Sequence, residues 1–94
     1  MILHKVSTSP FADNALQQCL ARMAQTDGLL LVQDAVYAVM QQPTQTPFTR
    51  LNAVYVLKDD ADARGITISD KHIQPITYAG FVELSIQYNN VMSW

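Results

Sequence analysis

The chain has 94 residues, 49% apolar and 15% charged, with a net charge of −2, which describes one globular domain near the size at which a single core suffices. The scattered Lys and Arg residues form no basic stripe for a phosphate backbone, and one cysteine with two histidines supplies neither an internal disulfide nor paired metal-ligand spacing. No apolar run approaches the ~20 residues needed to cross a bilayer and no secretory leader opens the chain, so the expectation is a cytoplasmic protein with no cofactor, no membrane contact and no direct contact with nucleic acid.

"ILHKV" at 2–6 is short, mostly apolar and β-compatible. Ser9 suits a helix cap and Pro10 a first turn, and from Ala12 to Met23 apolar residues recur at 12, 15, 16, 19, 20 and 23. That period is helical and puts Cys19 on the apolar side. Asp27-Gly28 breaks the helix, and "LLLV" at 29–32 runs without alternation, as a strand covered on both faces does in a parallel sheet. Asp34 is placed to cap a second helix over 35–40. The segment 41–49, with Pro43, Pro47 and no period, reads as the main loop. "AVYVL" at 53–57 is the next buried strand, and 58–65 a short polar helical turn with Arg64 near its end and Gly65 to stop it. "HIQPI" at 72–76 is a strand that Pro75 assigns to an edge, and Thr77 caps a last helix over 78–88. "VMSW" closes the chain as a frayed end.

Strands alternating with helices predict a single α/β domain over 1–94, three layers deep, with a mainly parallel sheet flanked by helices. With glycine only at 28, 65 and 80, no phosphate-cradling loop can be written. His4 and His72 lie in or beside strands without a local nucleophile or carboxylate partner, and read as hydrogen-bonded structural histidines. Asp34 stands at a strand's carboxyl end, where α/β folds bind ligands, but capping is the commoner use of an Asp there. Cys19 is the candidate reactive residue. Its place inside a helix favours a packed thiol, whereas Arg22 three residues on is a cation able to activate it. Met92 and Trp94 put large apolar side chains near the chain end and are the interface candidates.

"ILHKVSTSPF", "LLLVQDAVYAV", "VYVLKDDADARGI", "YAGFVEL" and the final "MSW" together resemble the TusB/DsrH family of sulfur-relay proteins, in the same order from residue 2 to 94. The resemblance implies a DsrEFH-like fold and a heterohexamer of two copies each of three related subunits, so that TusC-like and TusD-like chains are the expected sisters. It implies that the complex passes persulfide sulfur to a TusE-like acceptor for 2-thiolation of tRNA wobble uridine. The relay's acceptor cysteine belongs to a loop of the TusD-like sister, and no predicted loop here contains one, which marks a non-catalytic accessory subunit. Two positions depart from the pattern. Ala35 stands where family members commonly have Gly, which argues against a left-handed backbone there. Cys19 matches a cysteine of the DsrH branch, which keeps an alternative in view: an oxidative sulfur-trafficking subunit whose Cys19 itself carries persulfide.

Overall fold

The computed structural model describes residues 1–40, 48 and 51–94, so the expected loop at 41–49 lies outside the described residues except for Phe48. Five strands, β1 (Ile2–Val6), β2 (Gly28–Leu31), β3 (Ala53–Leu57), β4 (Ile73–Ile76) and β5 (Asn90–Ser93), form one sheet in the order β4-β3-β2-β1-β5. Every pairing is parallel. A parallel pair needs a crossover that covers a face of the sheet, and this is why apolar runs rather than alternating patterns mark the inner strands. All four residues of β2 are buried, and Leu29, Leu30 and Leu31 have no exposed surface. Each such leucine stabilises the fold by roughly 2 kcal/mol relative to exposure.

The pleat divides these side chains between two cores. Val6, Leu29, Leu31, Val54, Val56 and Ile73 face helix α1 (Ala15–Arg22), a 3-10 helix (Gln33–Met40) and helix α2 (Lys58–Ala63). Leu3, Leu30, Val32, Leu57 and Ile76 face the opposite way, against Leu84 and Tyr88 from helix α3 (Tyr78–Gln87) and its C-terminal end. Three crossovers thus cover one face and a single helix covers the other, the three-layer arrangement that the alternating elements predict.

Three local features differ from the sequence expectation. Helix α1 starts at Ala15, not Ala12, because Ser9 is used in a turn: its carbonyl accepts the Ala12 and Asp13 N–H groups, its hydroxyl accepts the Phe11 N–H, and Asp13 accepts the Ala15 N–H. The second helix is 3-10 in form. Ala35 is not left-handed, as its side chain argues, and the left-handed residue is Gln33, at φ 50°, one position before Asp34. The end of the chain is not frayed: β5 pairs with β1 over Ile2↔Asn90 to Lys5↔Ser93, and the Trp94 N–H donates to the Lys5 carbonyl at 2.8 Å. Other expectations match, including Pro75 on the edge strand β4, the Thr77 hydroxyl accepting the Gly80 N–H, and Gly65 at φ 68° ending α2.

Candidate functional site

The sequence-selected residues Cys19, Arg22, His4, Met92 and Trp94 come together where α1 packs on β1 and β5. β1 carries His4 and Val6 toward α1, and the register Met92↔His4 puts Met92 on that same face. Cys19 comes inward from α1, where it has no exposed surface. Trp94 follows β5, half-buried, and its indole lies against the ring of His4 at 6.1 Å between centroids with the Arg22 guanidinium 5.9 Å from the indole centroid.

Hydrogen bonding in this corner fixes its chemistry. Trp94 Nε1 donates to His4 Nδ1 at 3.0 Å, and His4 Nε2 lies 2.9 Å from Asp27 Oδ2. An indole nitrogen only donates, so Nδ1 must be the unprotonated nitrogen and Nε2 the one that donates its hydrogen to Asp27. Both ring nitrogens of His4 are thereby used, and none is left for a substrate. Asp27, 5% exposed, also accepts the Ile2 N–H on Oδ1 and the Ala24 N–H on Oδ2, each at 3.0 Å. Burial opposes its ionisation, but the His4 bond and the two N–H groups outweigh it and hold the carboxyl below the usual range.

These surroundings act on Cys19. Burial, followed by the negative charge of Asp27, pushes its thiol up to about 12. At neutral pH a thiol of that strength is ionised in only about one molecule in 10⁵, and the thiolate is the nucleophilic form. Arg22 is turned to the Trp94 ring, so the cation expected to activate the thiol has another neighbour. The corner as built is a structural lock: it joins β1, the turn before β2 and the last residue of the chain through one set of hydrogen bonds. Met92 remains 45% exposed beside it.

Asp27 is the residue the sequence reading missed. "DG" signals a turn, and nothing adjacent reveals that its acceptor atoms serve a histidine 23 positions earlier. The only hint is an acidic residue directly before a strand with no polar side chain. Asp34 is placed differently from expectation. Its carboxylate binds Arg64, at 3.0 Å from Nε and 2.9 Å from Nη2, while Asp60 of α2 accepts the Gln33 N–H. His72 Nε2 bonds the Leu51 carbonyl at 2.9 Å, as expected of a satisfied histidine. Among the described residues, no group of three or more His, Cys, Asp or Glu is arranged to hold a metal ion, and no helix is long and apolar enough to cross a membrane.

A family model described as "DsrH like protein" matches residues 8–91. Protein TusB of Enterobacter sp. (strain 638) is 38% identical over 98 residues, covering 99% of this chain and 100% of that protein. Protein TusB of Erwinia tasmaniensis is 31% identical over 96 residues, with 99% and 100% coverage. Among solved structures, the ychN protein of E. coli superposes with a TM-score of 0.76 over 99% of this chain and 97% of that one, at 18% identity, a likeness of fold. Protein Tm0979 of Thermotoga maritima gives a TM-score of 0.66 at 28% identity, covering 93% of each chain.

Proposed function

The chain belongs to the DsrH-like protein family, in which its close relatives carry the name TusB, and from that premise we propose that it is a non-catalytic subunit of a cytoplasmic sulfur-relay complex. Its partners in this reading are TusC-like and TusD-like sister subunits in a heterohexamer, with a TusE-like protein taking the sulfur onward to 2-thiolation of tRNA wobble uridine. Persulfide sulfur travels on partner thiols. The observation that carries this assignment is the state of the one cysteine: Cys19 has no exposed surface, and its thiol is pushed up to about 12. A relay step needs a thiolate that can reach a donor persulfide, and Cys19 offers neither property. What the chain contributes is surface, and the locked β5 edge with exposed Met92 is the part we assign to contact with a sister subunit.

The test is Cys19→Ala in the host, with wobble-uridine thiolation measured beside a deletion of the whole gene. The deletion is expected to lose most thiolated uridine. Cys19→Ala is expected to retain nearly all of it, because alanine fits a small apolar site at a cost of only about 1–2 kcal/mol. Loss of thiolation in a variant that still folds and co-purifies with its sisters transfers the carrier role to Cys19.

A further inference from the structure

On the face opposite Cys19, a cleft of about 110 Å³ opens at the carboxyl ends of the strands, lined by Lys5, Val32, Gln33, Leu57, Asp60, Tyr78 and Phe81. Its position follows from the topology. The carboxyl ends of β1, β2 and β3 meet there, with α2 on one face of the sheet and the first turn of α3 on the other, and open α/β sheets take ligands outside the carboxyl ends of their strands. Leu57 ends β3 and Asp60 belongs to α2, while Tyr78 and Phe81 belong to the first turn of α3.

Charge defines what the cleft would accept. Lys5 places its ammonium 5.7 Å from the Phe81 ring centroid, and among the described residues neither Lys5 nor Asp60 has an ion-pair partner within 4.0 Å. Nearby cations able to neutralise Asp60 are engaged elsewhere: Lys58 binds Asp62 at 2.7 Å, and the Arg64 guanidinium binds Asp34 at 2.9 Å. Asp60 Oδ2 accepts the Gln33 N–H at 2.6 Å, which holds Gln33 in its left-handed conformation and leaves Oδ1 available. One positive and one negative side chain therefore line the same small cleft without meeting. Val32, Leu57 and Phe81 supply apolar wall around them.

We propose that this cleft binds a small α-amino acid as its zwitterion, carboxylate toward Lys5, ammonium toward Asp60 and a short side chain against Val32, Leu57 and Phe81. The volume sets the size of the group that fits inside, since benzene occupies an apolar cavity of about 150 Å³. A lone anion satisfies Lys5 but is repelled by Asp60, and a lone cation meets the converse problem. The inference goes beyond the subunit role and rests on side chains of this chain alone.

Titration of the full chain with L-alanine, followed by amide NMR, tests it. Saturable shifts are expected at Lys5, Gln33, Asp60 and Phe81. Lys5→Gln and Asp60→Asn should each weaken binding at least about tenfold, the scale of one lost charge-assisted bond. Asn at 60 retains an oxygen for the Gln33 N–H, so that variant keeps the local backbone. Acetate and methylammonium, each carrying one of the two charges, should bind at least about tenfold more weakly than L-alanine to the unmodified chain. Absence of saturable shifts with L-alanine overturns the proposal, as does unchanged affinity in both variants or acetate binding as tightly as L-alanine. If either variant misfolds, the single-charge compounds still decide it.

Discussion

Asp27 gathers three polar partners in a buried place, since its two oxygens serve the Ile2 and Ala24 N–H groups and the His4 ring. Removing its charge leaves those donors under-satisfied inside a nearly closed site. Asp27→Asn is expected to cost roughly 1–3 kcal/mol near neutral pH, measured by urea unfolding. The pH dependence has a definite sign. Because the folded pKa lies below the unfolded value, the contribution is fully present above the unfolded carboxylate pKa of about 3.9 and is lost as pH falls through the folded pKa. The unmodified chain should therefore lose stability on acidification below about pH 4 more steeply than Asp27→Asn does. Equal acid slopes in the two proteins would contradict this account. At the same scale, the environment of Cys19 was half legible: helical spacing put the thiol inward, but the raising influence of Asp27 depends on a fold contact that no local pattern encodes.

At the level of elements, Gly28 shows how one position ties the two sides of β2 together. It opens β2 next to the Tyr88 ring, and a Cβ added there would collide with the Tyr88 hydroxyl oxygen. Tyr88 cannot withdraw freely, being 8% exposed, with burial first and the neighbouring Tyr55 second raising its phenol. Gly28→Ala should destabilise the protein by about 1–3 kcal/mol in chemical denaturation, the usual cost of overpacking; an unchanged midpoint would show that α3 shifts without penalty. The sequence signal for Gly28 was only a helix-stopping "DG". Strands β1 to β4 were readable because apolar runs with β-compatible residues mark them, and β4 was placed at an edge by Pro75 alone. β5 was not readable: "NVMS" has no buried residue, and its pairing depends on backbone bonds and on the anchor at Trp94. The start of α1 was misplaced because Ser9, which suits a cap, is taken up by a local turn through 9–13, and the helix begins only after Asp13 has accepted the Ala15 N–H.

Across the whole molecule, the two cores share a single sheet, so neither can open without exposing the reverse side of the same strands. Trp94 and Tyr37 pack against the core that contains Cys19, so that in a Tyr37→Phe background Tyr55 and Tyr88 report on the other. Urea unfolding followed by tryptophan fluorescence and by tyrosine near-ultraviolet dichroism is expected to give coincident midpoints, as small two-state domains do. Separate midpoints would mean that the face under α3 melts alone. That face is the thinner one, with a single helix whose outward residues Tyr78, Val82 and Ile86 are 59%, 57% and 78% exposed.

β1 bears on all of this through two neighbours. His4 is enclosed and fully bonded on one side of the strand, while Lys5 lies open and without an ionic partner among the described residues on the other. The alternation of the backbone insulates them: mutational drift at Lys5 can retune what the outer pocket accepts while the clasp around the imidazole stays shut. A single five-residue segment can thus carry a fixed duty and an adaptable one side by side, and selection can act on the second without risking the first.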